Sequence, residues 1–317
     1  MTSTVTFTVV MAAYNAAATV EAAIRSVLAQ TRGDFELVVV DDGSTDETAA
    51  RVRALQADPR VRLVRQENRG LAVARNVGIA SGTGPLVSML DSDDLWLPGY
   101  LEEMGEALAA NPDAGFAYTD AWVLDDETGR VQRASAMTYQ DPPDPPPAEP
   151  EAFFAELLHR NFVFTSTTVR REVLEEVGSF RESLQAAEDY ELWLRIAAHG
   201  RRGVNVGGRL AVYRKRPGSL STDDLRMMSA LRDVAHVVAE EYGVSEPLRG
   251  LARSRLRDFE AALGGGQGGL SARYRAHALL VRAKNALLSP WLWYRSPPPE
   301  LTAAFPELFY DASRRRT

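Results

Sequence analysis

Residues 35–48 read FELVVVDDGSTDET, and this one stretch decides the class of fold. From Leu37 to Val40 there is no polar alternation, which is how a strand covered on both faces reads. It runs into two carboxylates, Asp41 and Asp42, and then Gly43. Ser44 and Glu47 follow at the spacing of a capping box, predicting a helix through Leu55. Working outward, the unit repeats. VTFTVVM (5–11) is β-branched and strand-like, and Val20, Ile24, Val27 and Leu28 recur at helical spacing between Ala16 and Thr31. VRLVR (61–65) predicts a third strand, LAVARNVGIA (71–80) a helix closed by Gly82 and Gly84, and LVSML (86–90) a fourth strand. Strands alternating with helices through short loops predict an α/β fold with a largely parallel sheet. In such sheets ligands bind beyond the carboxyl ends of the strands. Tyr14 and Asn15, Asp41 and Asp42, and Asp91 to Asp94 all follow strands, so three polar clusters share one edge.

The last cluster is the oddest. LVSMLDSDDLWL (86–97) places Asp91, Asp93 and Asp94 between two apolar runs. Like charges this close repel, and each buried carboxylate carries a desolvation cost. A DxD at a strand end suits a hard divalent cation, which takes carboxylate and phosphate oxygens together and screens a departing diphosphate. Taken alone, the same pattern also fits a solvated acidic turn.

Composition removes other classes. The 317 residues carry a net charge of −7, so general nucleic-acid binding is not indicated. There is no cysteine, which excludes disulfides, zinc–thiolate sites and thiol catalysis, and the four histidines lack metal-ligand spacing. No apolar run reaches 18 residues and the N-terminus has no basic region of a signal peptide, so the expected location is cytoplasmic. The turn after the first strand is AAYNAA rather than GxGxxG, and no GxxxxGK[ST] occurs, which argues against a dehydrogenase and a P-loop NTPase. A sugar-phosphate nucleotidyltransferase would need a glycine-rich, basic first loop, also absent.

Further on, GFAYTDAWVLDD (115–126) reads as a strand and DPPDPPP (141–147) as an exposed connection. A helix near 151–160, a strand near Phe162–Val169 and a helix near 171–177 follow. QAAEDYELWLRIAAHG (185–200) has Leu192, Trp193 and Ile196 on one helical face, and LAVYRKRPGSLST (210–222) reads as a final strand and loop. Helical spacing then prevails, broken by GGGQGG (264–269). The expected division is a first half at 1–115, a second half at 116–219 and a C-terminal helical extension at 220–317.

VVMAAYN, FELVVVDDGSTDET, ENRGLAVARNVGIASG and LVSMLDSDDLWLPGYLE resemble, in that order, the inverting glycosyltransferases of family 2. FTSTTVRREVLEEVGSF and AAEDYELWLRIAAHG resemble that family's acceptor-side segments, so the likeness runs over about residues 5–220. It implies the GT-A fold, a Rossmann-like, mostly parallel central sheet with flanking helices. It also implies transfer of a sugar from a nucleoside-diphosphate sugar, UDP being the commonest nucleotide, to a hydroxyl of a saccharide or lipid-linked glycan. The cofactor implied is Mn²⁺ or Mg²⁺.

By the same resemblance, Ala13, Tyr14 and Asn15 line the nucleotide, with Tyr14 stacked on the base and Asp42 accepting a hydrogen bond from it. The plainer alternatives are packing for Tyr14 and helix capping for Asp42. Asp91 and Ser92 fall near the ribose and metal, Asp93 is the main metal ligand, and Asp94 orients the turn. Arg75 or Arg69 reaches the diphosphate, with a surface role open for Arg69. Asp189 corresponds to the catalytic base, with Glu188 as competitor and with helix-dipole complementation as the plain alternative. One departure stands out. Many members carry histidine in a Tyr-Arg-x-His context after the last strand, whereas Tyr213-Arg214-Lys215-Arg216 has arginine there, which cannot ligate a metal but can clamp a pyrophosphate. A non-catalytic sugar- or nucleotide-binding relative is the alternative function, opposed by Asp42, Asp93 and Asp189 occurring together. In the extension, SARYRAHALLVRAKNALL (271–288) and SPWLWYRSPPPEL (289–301) mix arginine, tryptophan and tyrosine. Peripheral contact with the inner membrane face is one expectation; the plainer one is a helical appendage that packs its apolar face on the core or, as a homo-oligomer interface through 220–317, on a second subunit.

Overall fold

A computed structural model describes residues 5–137, 143–216, 219, 223–264, 271 and 292–310. At its centre lies β1 (Phe7–Ala13), buried along its whole length. On one side it pairs in parallel with β2 (Phe35–Asp42), which pairs in parallel with β3 (Val61–Gln66); on the other it pairs in parallel with β4 (Leu86–Met89). β1, β2 and β4 are buried almost throughout, whereas β3, at the end of the strand order, exposes Arg62 and Arg65. Helices α1 (Val20–Leu28), α2 (Thr48–Leu55) and α3 (Leu71–Ser81) connect them. Such crossovers cover both faces, so apolar residues are required on each.

Beyond β4 the direction changes. After β5 (Leu95–Trp96) and α4 (Tyr100–Ala110) come β6 (Ala114–Asp125), β7 (Arg130–Val131), α5 (Pro150–His159), β8 (Thr167–Arg170), α6 (Arg171–Val177), α7 (Glu188–Ala198) and β9 (Arg202–Lys215). The strand order is β3-β2-β1-β4-β8-β6-β9-β5, with β7 on β6. β8 runs antiparallel to both neighbours, and β6 and β9 are parallel. The sheet is thus parallel in its first half and mixed in its second, and it is continuous across residue 115.

Three local expectations differ from what forms. Ser44 and Glu47 make no capping box. Ser44 Oγ instead accepts the Asn15 N–H, and Asp46 Oδ1 accepts the Thr48 N–H as α2 begins. Phe162 to Ser166 is not strand; Phe162 and Val163 are core residues of an irregular run before β8. β9 begins eight residues earlier than its apolar signal, because Gly207 and Gly208, both at positive φ, interrupt the pattern without ending the strand.

The core is layered on the sheet. Trp193 of α7 is fully buried and stacks on Phe116 of β6 at 4.9 Å, while Trp96 stacks on Tyr100 at 3.8 Å. Close packing of the first half explains a glycine: a Cβ on Gly84 would lie 2.6 Å from the Thr8 nitrogen, so α3 and β4 join only through a residue without one. The extension is part of the same body. Val234 and Val238 of α8 (Asp224–Glu241) and Ala252 of α9 (Glu246–Ala262) join the cluster that holds Trp193 and Phe116. Leu301 of α10 (Pro299–Ala304) and Phe305, just before α11 (Pro306–Tyr310), pack on Leu95, Leu124 and Val212.

Among the described residues no helix is long and apolar enough to cross a membrane. Most of the aromatic, arginine-rich stretch expected at a membrane or subunit surface, residues 272–291, lies outside the described residues. Trp293 and Tyr294 lie inside them: the Arg130 and Arg133 guanidinium groups sit 4.9 and 5.1 Å from their ring centres.

Candidate active site

The carboxyl ends of β1, β2 and β4 open on one edge, and the loop after each strand holds its neighbour. Asn15 sits in the left-handed region at φ 48°, a conformation asparagine tolerates. Its N–H donates to Ser44 Oγ (2.9 Å), and its Oδ1 accepts the Thr45 N–H (2.9 Å). The Ala16 N–H donates to Thr48 Oγ1 at 2.8 Å. The GSTDET run therefore works as a brace for the loop after β1. That brace leaves Tyr14 projecting, at 52% exposure one of only two large hydrophobic side chains exposed among the described residues. A half-exposed ring beside a braced loop offers a face for stacking.

Asp41 and Asp42 are both buried, with different partners. Asp41 accepts from the Ser44 N–H and from Arg65 Nε (2.8 Å). Asp42 accepts from Gln66 Nε2 (2.7 Å) and from the Arg69 and Gly70 N–H groups (2.9 Å each). Asp42 thus pins the turn leading into α3, the capping alternative transferred to a different helix. Arg69 itself is largely exposed, 3.9 Å from Glu182, as a surface role requires.

The second cluster is held by charge. Arg75, on α3 and only 3% exposed, donates to Asp91 Oδ1 (2.6 Å) and Glu188 Oε1 (2.5 Å), with its guanidinium 5.2 Å from the Phe180 ring centre. This corrects the expectation of a diphosphate donor: the side chain is enclosed and directed at two carboxylates. Burial opposes its charge, but Asp91, Glu188 and Asp189 together hold it protonated above the usual arginine range. Glu188 is pushed up by burial against the pull of Arg75. A buried carboxylate bonded to a buried cation is poorly placed to collect a substrate proton, so Glu188 recedes as a base.

Asp189 comes next on α7, only partly buried. Its Oδ2 accepts the Thr165 hydroxyl (2.8 Å) and its Oδ1 the Tyr190 N–H (2.7 Å). The helix starts from Ala187 at φ 55°, ψ 24°, a strained conformation for a residue with a Cβ and without a polar side chain to offset it. Consecutive residues of a helix point about 100° apart, so Glu188 turns to Arg75 while Asp189 turns to Thr165.

Asp93 Oδ2 takes Arg216 Nη2 at 2.6 Å. Burial, reinforced by the Asp91 charge and opposed by Arg216, raises its carboxyl above the usual range. Asp94 is fully enclosed and raised further by burial and by Asp93. It accepts the Arg214 N–H (3.0 Å), while its own N–H donates to the Asp91 carbonyl, so it fixes the turn to β9. Ser92, partly buried, sits between them. As to metal, Asp91 and Asp93 each use one oxygen in an ion pair, leaving the other for a hard cation. No group of three or more His, Cys, Asp or Glu arranged for a metal occurs among the described residues. Two carboxylates fit a cation that brings phosphate oxygens as its remaining ligands.

Sequence reasoning placed the strand-end residues on one edge and Asp189 on a helix start. It missed Thr165 as partner of Asp189, the Arg65–Asp41 pair and the Arg75–Glu188 bond. The last spans 113 residues, and no local pattern carries it.

A parallel half-sheet with an exposed aromatic, an acidic strand-end turn and a helix-borne carboxylate on one edge is the arrangement of the GT-A glycosyltransferase fold. The Glycosyl transferase family 2 profile matches residues 8–178. The chain belongs to that family and is a glycosyltransferase. Among its relatives, the succinoglycan biosynthesis protein ExoO of Rhizobium meliloti (strain 1021) is 34% identical over 263 residues, covering 80% of this chain and 74% of that protein. ExoU of the same organism is 34% identical, covering 69% of this chain and 66% of that protein. The UDP-Glc:alpha-D-GlcNAc-diphosphoundecaprenol beta-1,3-glucosyltransferase WfgD of Escherichia coli is 29% identical, covering 71% and 83%. Among solved structures, the Pyrobaculum calidifontis mannosyltransferase PcManGT with GDP-Man and Mn²⁺ superposes with a TM-score of 0.59 at 22% identity, covering 99% of this chain and 87% of that one. S. aureus TarS 1–349 with UDP-GlcNAc gives 0.63 at 18% identity, covering 97% and 81%. These similarities place the fold, including α7, β9 and the C-terminal helices, which the profile does not reach.

Proposed function

We infer that the chain transfers a sugar from a nucleoside-diphosphate sugar, UDP being the preferred nucleotide, to a hydroxyl of a saccharide or lipid-linked glycan, with inversion at the anomeric carbon. The observation that carries this is the Arg75 bridge. One buried guanidinium bonds both Asp91, on the donor side, and Glu188, next to Asp189, so donor and base groups are held at one edge. Tyr14 offers its face to the nucleotide base, with Asp41 and Asp42 setting the loops around it. Asp91 and Asp93 are the residues that would hold Mn²⁺ or Mg²⁺; when bound, such a cation screens the charge on the departing diphosphate. Asp189 holds its carboxylate, oriented by Thr165, where it takes the proton of the acceptor hydroxyl as that oxygen attacks the anomeric carbon. The nucleotide leaves from the opposite face in a single displacement, and no covalent intermediate on the enzyme is needed.

Proton NMR of the first product, taken before mutarotation, tests the scheme. It predicts a product whose anomeric configuration is opposite to the donor's. Retention would remove the single displacement, and absence of both transfer and donor hydrolysis across UDP-, GDP- and dTDP-sugars would favour a non-catalytic binder.

A further inference from the structure

Each carboxylate of the acidic turn already has a partner from this chain: Asp91 has Arg75, Asp94 has the Arg214 N–H, and Asp93 has Arg216. The three are not equivalent. Arg75 is enclosed, and Arg214 turns its side chain away to Asp126, but the Arg216 side chain is 30% exposed and that of Asp93 27%. Arg216 follows β9 directly, and its Nε is buried without a hydrogen-bond partner among the described residues. A guanidinium with one N–H on a carboxylate and another unsatisfied is poised to exchange its acceptor for a larger anion. Diphosphate oxygens match its planar fork, and while it stays on Asp93 its positive charge weakens what that carboxylate offers a metal cation, even at the other oxygen.

We propose that Arg216 is a built-in counter-ion of Asp93. In the donor-free enzyme it competes with the divalent cation for this carboxylate. When a diphosphate arrives it moves onto the phosphates and releases Asp93 to the metal. The inference rests on the donor reading above, and it makes metal and donor bind in a coupled way. An arginine where many family members have histidine is then an exchangeable cation standing in the place of a ligand.

Electron paramagnetic resonance of free Mn²⁺ tests this on the donor-free protein. Losing a charged hydrogen bond that competes for Asp93 should tighten Mn²⁺ binding about tenfold in Arg216→Gln. Adding Asp93→Asn should abolish the gain, and Arg69→Gln, which removes an equal charge that does not touch Asp93, should not reproduce it. In EDTA, calorimetry with inorganic pyrophosphate, which is blind to the base, should show binding to wild type weakened about tenfold in Arg216→Gln. Equal Mn²⁺ affinity in wild type and Arg216→Gln, or equal pyrophosphate affinity, would overturn the proposal. If no nucleoside diphosphate binds wild type with or without Mn²⁺, the donor reading fails, while the Mn²⁺ comparison still decides the Asp93–Arg216 pair.

Discussion

The two sides of the edge are built on opposite principles. The loops after β1 and β2 are braced mainly by hydrogen bonds between neighbouring motifs, such as Asn15 with Ser44 and Thr45, and Ala16 with Thr48. The side formed by Asp91 to Asp94 and α7 is held by charges drawn from far along the chain, with Arg75 between Asp91 and Glu188 and Arg216 on Asp93. Even the two non-glycine residues at positive φ among the described residues divide this way. Asn15 uses its side chain to satisfy the turn, whereas Ala187 has nothing to offset its strain. The first side is a preformed platform; the second is a set of balanced charges whose balance a charged substrate alters.

The largest effect should come from the charged side. Asp93→Ala removes an electrostatic stabiliser at the leaving group, and transfer should fall by about 10²–10³-fold with a chromatographic assay under saturating donor. Near wild-type transfer in EDTA by that variant would dissolve the distinction between the two sides. Next, Arg75→Met leaves two carboxylates at the buried junction without their shared cation. Breaking a buried pair in this way costs about 3–5 kcal/mol, readable as a lower midpoint in urea. A loss of under about 1 kcal/mol, the range of exposed pairs, would mean that Arg75 is not the tie between donor and base sides.

A subtler pair probes the strained residues. Ala187→Gly relieves left-handed strain, and after the entropy cost of glycine it should stabilise the fold by about 0.5–1 kcal/mol. Asn15→Gly loses side-chain hydrogen bonds and should destabilise by about 1 kcal/mol. Thermal denaturation giving both the same sign would contradict the contrast. The smallest effect lies away from the edge. Asp34 is lowered to about 2, chiefly by its hydrogen bond from Arg32. A depressed carboxylate contributes stability above its unfolded value of 3.8 and loses it as pH falls toward about 2. Asp34→Asn should therefore destabilise by under about 1 kcal/mol at pH 7, the pair being partly exposed, and be indistinguishable from wild type below pH 2.

The braced platform was legible in the sequence because its signals are local. Largely apolar runs marked β1, β2 and β4, and VRLVR marked β3, so the residues that follow these strands had to meet at one edge of a parallel sheet. The charged side was only half legible. Asp91, Asp93 and Asp189 could be named, but the Arg75–Glu188 bond beside Asp189 and the Arg216–Asp93 pair join residues 113 and 123 positions apart. Physical chemistry constrains such pairs by charge and burial, neither of which a linear pattern reports. The same limit hid the start of β9, where Gly207 and Gly208 break the apolar pattern while backbone pairing with β6 continues around them. Asp42 shows the reverse case. Its place at a strand end was read correctly, but three donors from the β3–α3 turn give it a structural task that position alone does not distinguish from ligand binding.

The central claim is that Asp189 takes the acceptor proton while Glu188 stays bonded to Arg75. Asp189→Asn keeps shape: its Oδ1 can still accept the Tyr190 N–H and its Nδ2 can donate to the Thr165 hydroxyl, but it cannot collect a proton at neutral pH. Calorimetry of nucleotide binding with Mn²⁺, paired with single-turnover transfer on the same sample, separates the two roles. The account predicts nucleotide affinity within about twofold of wild type and a transfer rate reduced by about 10²–10⁴-fold, the usual contribution of a general base. Lost nucleotide affinity, or transfer at the wild-type rate, would contradict it.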